Sequence, residues 1–313
     1  MNTVLKIGTR DSQLAVWQAT FVKDQLAKHN IAAELVLIKS DGDIDLVTPL
    51  YAMGVQGVFT KTLDAALLSK RIDIAVHSMK DVPTQLAQGI QQAAVLKRAN
   101  VRDLLIVKGQ LSIVNEKLNS PFIIHDSPLT IATSSIRRRA QWLNRYPNHT
   151  IENLRGNVNT RLRKVDESNW HGAIFAAAGL ERINLRPENA IELDWMLPAP
   201  AQGAIMIVCR EEDNAAKEKC MLLNDEATAI CVKAERDFLK TLLGGCSTPI
   251  SALAEIKNNQ LHFRGNIFSL DGKQKIEADK IFDITETNAG LLAADEVLAN
   301  GGAAIVEEIR NGK

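Results

Sequence analysis

The sequence predicts an α/β protein built from two alternating strand–helix units, followed by a smaller α+β domain. Up to about residue 177, short apolar segments typical of strands alternate with segments of helical periodicity. Polar or glycine-containing turns separate these segments, which is the pattern of parallel sheets flanked by helices. After about residue 225 the pattern changes to a long helix followed by two adjacent strands, which favours an antiparallel sheet.

The first unit covers roughly the first hundred residues. Its last strand ends in the polar segment Ser78–Pro83, which is predicted to be a loop at the carboxyl end of that strand. The predicted strands are Val4–Gly8, residues 33–39 and Asp73–His77, and the predicted helices cover Leu14–Leu26 and residues 60–69.

The second unit repeats the alternation with Ser, Thr, Asn or Gly at each turn. Ser134 and Ser135 are good helix N-caps, and an arginine-rich helix follows them. Such turns place main-chain N–H groups and positive helix ends at one sheet edge, where ligands of open α/β sheets bind. The predicted strands are Ile131–Thr133, Thr150–Leu154 and Ala173–Ala177.

The C-terminal region begins with an amphipathic helix predicted over residues 225–243. Strands at Ile250–Ile256 and Gln260–Phe268 follow, then a helix near 287–300 and a strand-like segment at Ala303–Val306. This order predicts a small α+β domain.

Composition excludes several classes of protein. The 313 residues include 37 basic and 37 acidic side chains, so no general affinity for nucleic acid is implied. The apolar runs are too short to span a membrane, and no signal peptide precedes the first strand. No CxxC pair or metal-ligand spacing of histidines appears, which argues against a metal site. We expect a cytoplasmic protein whose Cys209, Cys220 and Cys231 lie in the core.

The fourth cysteine has a different context, the segment Gly244-Gly245-Cys246-Ser247-Thr248-Pro249. Two glycines free the main chain before it and a proline follows, so we expect a loop after the end of the helix. A thiol is the best nucleophile among ordinary side chains, and on such a loop it is suited to carry a group covalently. The alternative is a small residue that packs in a tight turn.

Basic residues are concentrated between Thr130 and Lys164. This segment has eight of them and a single acid, Glu152, and seven of the eight are arginines. The guanidinium fork binds carboxylate and phosphate groups in a bidentate manner, so the segment favours an anion-binding cleft. The alternative is a solvated basic helix face, which normally uses lysine as freely as arginine.

Asp81 follows a buried strand and lies next to Lys80. A carboxylate at the carboxyl end of a sheet can serve as acid, base or stabiliser of a developing cation. The alternative is that Asp81 caps a turn and pairs with Lys80.

Six segments, in the right order, resemble the hydroxymethylbilane synthase family, also called porphobilinogen deaminase, almost from end to end. The most specific are His77–Pro83 and Gly244–Cys246. The matching segments are Ile7–Ser12, His77–Pro83, Thr133–Arg138, Leu154–Arg161, Pro200–Ala204 and Gly244–Cys246.

The resemblance implies an enzyme with a covalent primer. In this family a dipyrromethane cofactor is thioether-linked to the cysteine that matches Cys246. Four porphobilinogen molecules are added to it, each losing ammonia to give an electrophilic azafulvene that the growing chain attacks. Hydrolysis then releases the linear tetrapyrrole. Porphobilinogen would be the partner, and the family is usually monomeric.

The resemblance also implies roles for individual residues. Asp81 matches the carboxylate that contacts pyrrole N–H groups, and it would act in catalysis together with Lys80. The other matching positions bind the cofactor or substrate carboxylates or line the cleft; they are Arg10, Ser12, Ser134, Ser135, Arg137, Arg138, Arg155, Arg161, Arg182 and Gln202.

The implied fold consists of two periplasmic-binding-protein-like α/β lobes plus a small C-terminal α+β domain. The first lobe would cover residues 1–100 and 200–222, the second 101–199, and the C-terminal domain 223–313.

The sequence departs from the family pattern at three places, where Val47 replaces an aspartate, Gln56 a lysine and Asn159 a glycine.

Two other functions compete with the enzyme. A two-lobed protein with an arginine cleft is also suited to bind an organic anion without catalysis, and it would need neither Asp81 nor Cys246. A nucleic-acid-binding module would need a broader basic surface than one cleft.

Overall fold

The computed structural model describes residues 4–39, 60–108, 128–242 and 248–311. Within these ranges two mixed α/β sheets and one antiparallel sheet form, which confirms the predicted fold class. The strands are β1 (Leu5–Thr9), β2 (Ala33–Leu37), β3 (Ile74–Ser78), β4 (Ile90–Val95), β5 (Asp103–Val107), β6 (Thr130–Ala132), β7 (Thr150–Glu152), β8 (Gly172–Ala176), β9 (Ile191–Glu192), β10 (Ile205–Arg210), β11 (Ile250–Lys257), β12 (Gln260–Phe268) and β13 (Lys275–Asp283). The helices are α1 (Gln13–Lys28), α2 (Lys61–Leu68), α3 (Ile136–Arg145), α4 (Val158–Glu167), α5 (Ala177–Glu181), α6 (Asn214–Met221), α7 (Glu226–Leu242), α8 (Ala289–Val297) and α9 (Ala303–Asn311).

The first sheet has the order β2-β1-β3-β10-β4. Strands β2, β1 and β3 are parallel, as predicted, but β10 runs antiparallel to both β3 and β4. The prediction of a parallel sheet is therefore wrong for the side of the sheet that β10 and β4 form. β10 enters from the second sheet rather than through a crossover helix, and crossover connections are what make neighbouring strands parallel.

The second sheet repeats this arrangement in the order β7-β6-β8-β5-β9. β6 pairs in parallel with β7 and β8, whereas β5 runs antiparallel to β8 and β9. β5 enters from β4 of the first sheet, so the same reason applies. The chain thus crosses between the sheets twice, after β4 and before β10. We call the two sheets with their helices the first and second lobes.

The C-terminal domain is an antiparallel sheet, β11-β12-β13, covered by α7, α8 and α9. The pattern did not reveal β13, because along this strand only Ala278 is buried. The strand expected at Ala303–Val306 is wrong, since these residues begin α9. Ile305, Val306 and Ile309 are buried there at helical spacing, and that periodicity outweighs β-branched composition.

One segment, Ala289–Asn311, is long and apolar enough to cross a membrane by length and composition alone. It is not one continuous helix, because Gly301 between α8 and α9 has a φ of 107°. Its buried side chains, such as Ala293, Val297 and Ile305, belong to the core of the C-terminal domain. These two helices are therefore core helices of that domain.

Helix α7 joins the C-terminal domain to the first lobe. Phe238 and Leu242 lie in the C-terminal core, whereas Val232 packs in the same cluster as Met79 and Val82 of the first lobe. One helix therefore contributes to two hydrophobic cores.

The same helix carries Glu235, a carboxylate with no solvent exposure. Its oxygens accept hydrogen bonds from both terminal nitrogens of Arg98, at 2.5 and 3.0 Å. They also accept from the main-chain N–H groups of Ala201 at 2.6 Å and Ala254 at 2.8 Å. Arg98 and Ala201 lie close to the two crossings between the lobes, so Glu235 ties this junction to the C-terminal domain.

We predict that Glu235→Gln lowers the free energy of unfolding by about 3–5 kcal/mol, because it leaves the Arg98 charge buried without a counterion. Urea denaturation measures this loss. The matched control is Asp237→Asn on the same helix, which breaks an exposed pair with Lys233 and should cost less than about 0.5 kcal/mol. Equal losses in the two variants would contradict the prediction.

Candidate active site

Lys80 and Asp81 lie in a single turn of 3₁₀ helix, Met79–Asp81, that follows β3. The N–H of Met79 donates to the Ala204 carbonyl at 3.0 Å, and the N–H of Val82 closes the turn onto the Met79 carbonyl at 3.1 Å. Met79 and Val82 are buried, whereas Lys80 is half-buried and Asp81 exposed. The core therefore fixes both ends of the turn and leaves the two polar side chains at its surface.

The ammonium group of Lys80 donates a hydrogen bond to Oε1 of Gln202 at 3.1 Å. Burial lowers the pKa of Lys80 to about 8. The positive charges of Arg138 and Arg137 lower it further, and Asp81 and Asp103 oppose this. The charged form of Lys80 is thus destabilised chiefly by burial.

Gln202 is fully buried and connects Lys80 to the second lobe. Its amide nitrogen donates to the Val101 carbonyl at 2.8 Å and to Oδ1 of Asp103 at 2.9 Å. The neighbouring Gly203 has a φ of 87°, and a Cβ there would lie 2.7 Å from the Ala99 carbonyl oxygen. The glycine of the Pro200–Ala204 segment is therefore required where the two crossings pack together.

Asp103, the first residue of β5, is a residue of the candidate site that the sequence prediction missed. It is completely buried, and it accepts hydrogen bonds from Nη2 of Arg137 and Nη2 of Arg138, both at 2.7 Å. Burial alone would raise its pKa, but the two guanidinium charges hold the pKa well below its usual range. The sequence feature that could have identified Asp103 is a carboxylate at the start of an apolar strand.

Arg137 and Arg138 begin α3 behind the N-cap Ser135, whose hydroxyl accepts from the Arg138 N–H at 3.4 Å. Their Nη1 atoms donate to the carbonyls of Leu197 and Ile174. Within the described ranges, the buried Nε of Arg137 has no hydrogen-bond partner. The hydroxyl of Ser134 accepts from the Leu154 N–H at 2.9 Å and so joins β7 to this turn.

Arg155 and Arg161 flank the start of α4. Arg155 is buried, and Nε of Arg161 donates to the Gly156 carbonyl at 2.7 Å. Burial lowers the pKa of Arg161 to about 10, the charges of Arg138 and Arg155 add to this, and Asp81 opposes it. Arg161 of the second lobe and Asp81 of the first are thus close enough to interact electrostatically.

These interactions define a group that we call the cleft cluster. Five cations, drawn from both lobes, face two carboxylates, and one of these, Asp103, is already engaged by Arg137 and Arg138. The members are Lys80, Asp81, Asp103, Arg137, Arg138, Arg155 and Arg161.

Three other predicted residues take no part in the interactions that define the cleft cluster. Ser12 is the N-cap of α1, and its hydroxyl accepts from the Ala15 N–H at 3.4 Å. Arg10 adds to the effect of burial in lowering the pKa of His77 to about 4. Arg182 donates to the Gly203 carbonyl at 2.7 Å and lies 5.8 Å from the ring of Trp17, so it joins the lobes rather than the cluster.

Asn159 also connects the lobes. Its amide donates to the side-chain oxygen of Gln13 at 2.9 Å, and these residues lie at the starts of α4 and α1. The glycine that usually occupies this position has no side chain for such a bond.

Cys246, Val47 and Gln56 lie outside the described residues. The predicted burial of Cys209, Cys220 and Cys231 is confirmed. Burial raises the pKa of Cys220 to about 12 and that of Cys231 to about 11, which keeps both thiols protonated and unreactive. In the part of the chain that the structure describes, no group of three or more His, Cys, Asp or Glu residues is suited to hold a metal ion.

Comparison with known families agrees with this geometry. Residues 5–218 match the family model "Porphobilinogen deaminase, dipyromethane cofactor binding domain". The chain belongs to the porphobilinogen deaminase family. Residues 229–299 match the family's C-terminal domain.

Over nearly its full length the chain is similar to porphobilinogen deaminases of other organisms. The porphobilinogen deaminase of Chlorobium phaeobacteroides (strain BS1) is 40% identical over 323 residues, covering 99% of each chain. That of Acidithiobacillus ferrooxidans (strain ATCC 53993) is 39% identical over 316 residues, covering 98% of each. Members of this family are transferases of tetrapyrrole biosynthesis that use porphobilinogen as substrate and dipyrromethane as cofactor. These predictions are confirmed, and the non-catalytic anion-binding alternative is not favoured.

Among solved structures, the methionine binding protein MetQ matches with a TM-score of 0.42 and 12% identity, covering 70% of this chain and 89% of that one. The two-lobed fold itself is established by the strand orders of the two sheets.

The cleft cluster fits the cofactor of a porphobilinogen deaminase. Each pyrrole of dipyrromethane bears an acetate and a propionate, and bound carboxylates would favour the charged forms of Lys80 and Arg161, whose pKa values are lowered chiefly by burial. The buried Nε of Arg137 is one further donor available there.

We predict that Lys80 titrates near pH 8 in cofactor-free protein, and that bound carboxylates raise this value by favouring the charged form. Binding of porphobilinogen should therefore weaken as the pH rises through about 8. Carbon-13 NMR of the lysine ε-carbons measures the titration, and Lys80→Met identifies the signal. A Lys80 signal that titrates at the ordinary lysine value of about 10.4 would contradict the prediction.

Proposed function

We propose that the cleft cluster binds the carboxylates of porphobilinogen and of a dipyrromethane attached to Cys246, and that Asp81 carries the proton chemistry. The observations that support this proposal are the electrostatic interactions of Asp81 with Lys80 and Arg161, two cations that come from different lobes. When bound, dipyrromethane supplies the pyrrole end to which substrate units are joined.

The proposed role of Asp81 follows from its surroundings. It is exposed, so a substrate can reach it, and it is the cluster carboxylate that Arg137 and Arg138 do not engage. A carboxylate there offsets the positive charge that develops on a substrate pyrrole when ammonia departs, and it can exchange protons with the pyrrole N–H. Lys80, its neighbour, would bind a substrate carboxylate.

The proposed roles of the arginines differ by position. Arg137 and Arg138 are oriented by Asp103 and present their remaining N–H groups to cofactor carboxylates, and Arg155 assists them. Arg161, like Arg10, would bind substrate carboxylates. Ser12, Ser134 and Ser135 cap or join the turns that shape the cleft, whereas Gln202 and Arg182 hold its floor where the lobes connect.

The proposed domain division is residues 1–100 with 200–222, residues 101–199, and residues 223–313. It is supported by β10, which returns to the first sheet, and by α7, which starts the C-terminal domain at Glu226. We also propose that the protein acts as a monomer in the cytoplasm. Three buried free thiols suit that reducing compartment.

We predict that the purified protein is heavier than its sequence by two deaminated porphobilinogen units, and that peptide mapping locates them on Cys246. Intact-mass spectrometry measures this. Cys246→Ala should fold without the adduct and lack activity, because the nucleophilic thiol is lost. Cys231→Ala is the control and should keep the adduct, since that thiol is buried in the core. An active preparation of unmodified mass would exclude the proposed attachment.

We predict that Asp81→Asn lowers kcat by a factor on the order of 10² or more, because the amide keeps the shape of the side chain but removes its charge. Steady-state kinetics of ammonia or tetrapyrrole release measure this. Asp166→Asn, which changes an exposed acid on α4, is the control and should leave kcat unchanged. Near-normal turnover in Asp81→Asn would mean that Asp81 only caps its turn.

A further inference from the structure

Arg236 of α7 contacts the main chain of the turn that carries Lys80 and Asp81. Its Nη1 donates to the carbonyls of Val82 at 3.0 Å and Met79 at 3.4 Å, and its Nη2 donates to the carbonyl of Pro83 at 2.6 Å. One guanidinium thus holds three carbonyls of a five-residue segment from a different domain. The catalytic roles proposed above do not use this residue.

The geometry suits a guanidinium better than an ammonium. The planar fork presents several N–H donors in fixed directions, so it can bridge carbonyls that lie side by side. Pro83 has no N–H with which to stabilise the segment from within, and the N–H of Val82 bonds back to the Met79 carbonyl. The contacts of Arg236 therefore define how the carbonyl side of the turn is oriented.

Packing adds a second connection at the same place. Val232, one helical turn before Arg236, shares a hydrophobic cluster with Met79 and Val82. Beside these contacts lies an open groove of about 310 Å³, lined by Met79, Thr84 and Arg236 among others. Because Arg236 itself lines this open groove, loss of its guanidinium would leave the space it occupies to water rather than to another protein donor.

Helix α7 also leads to the proposed attachment point. It ends at Leu242, and Cys246 follows four residues later in the sequence. The segment with the proposed acid–base residue and the helix before the cofactor cysteine therefore meet at Arg236.

We propose that Arg236 is a positioning residue of the condensation reaction, whose guanidinium holds residues 79–83 against α7 and so orients Lys80 and Asp81 relative to the cofactor-bearing domain. This inference rests on the proposed function of Asp81 and Cys246.

The test compares Arg236→Lys with Arg210→Lys. Arg210 is the control because it is an arginine of the first lobe, the lobe that carries the turn, and it also donates to main-chain carbonyls, those of Leu67 and Ile72, at the opposite end of β10 from Ala204. Each variant keeps its positive charge and loses the fork. Both are assayed as purified holoenzymes under conditions in which circular dichroism shows them folded.

The first readout is hydrogen exchange at the N–H groups of Met79 and Val82, which are bonded in the native turn. Arg236→Lys should accelerate this exchange about tenfold, because opening of the turn becomes easier, and Arg210→Lys should leave it unchanged. The second readout is kinetic. Arg236→Lys should lower kcat at least about tenfold with intact cofactor mass, since small displacements of reacting groups are costly.

The positioning role would be overturned if the N–H groups of Met79 and Val82 exchanged at the same rate in Arg236→Lys as in Arg210→Lys. It would also be overturned if kcat fell in both variants in proportion to their loss of stability. The proposed function fails separately, through near-normal turnover of Asp81→Asn. In that case Arg236→Lys would still accelerate hydrogen exchange at Met79 and Val82, because the contact with the turn is lost, but it would not lower kcat.

Discussion

The candidate active site depends on one buried carboxylate, Asp103. Two adjacent arginines on one helix repel each other, and burying both would be prohibitive without a counterion. Asp103 supplies it, with hydrogen bonds of 2.7 Å to each guanidinium. Through Gln202 the same carboxylate is linked to Lys80 in the other lobe. The positive cleft is therefore a connected network and not a set of independent surface charges.

The carboxylates of this network do not balance all of its positive charges. Asp103 compensates Arg137 and Arg138, while Lys80 and Arg161 keep lowered pKa values because burial and neighbouring cations are not fully offset. The binding of anions to such a site is therefore energetically favourable. This accords with a family whose cofactor and substrate both carry carboxylates, and it explains why arginine, which stays charged despite burial, predominates over lysine.

A second buried carboxylate, Glu235, organises the place where the three parts of the protein meet. It binds Arg98 and the main chain of Ala201 and Ala254, so the crossings between the lobes are held by a helix of the C-terminal domain. The next residue, Arg236, faces the turn of Lys80 and Asp81, so α7 contacts both the junction and the candidate catalytic segment.

Local pattern alone determined most strands and helices, the core cysteines and the cluster of basic residues, because side-chain periodicity and capping act over a few neighbouring positions. Motif resemblance supplied the family. The pattern could not reveal that β10 and β5 run antiparallel, since pairing direction depends on where the chain enters a sheet. It also failed at Ala303–Val306, where a helix buries the residues that looked like a strand.

The roles of Asp103, Gln202, Glu235 and Arg98 depend on contacts that exist only in the folded chain. Asp103 lies 34 residues from Arg137 and Lys80 lies 122 from Gln202, and only tertiary structure brings groups at such separations into hydrogen-bond contact and sets their charge.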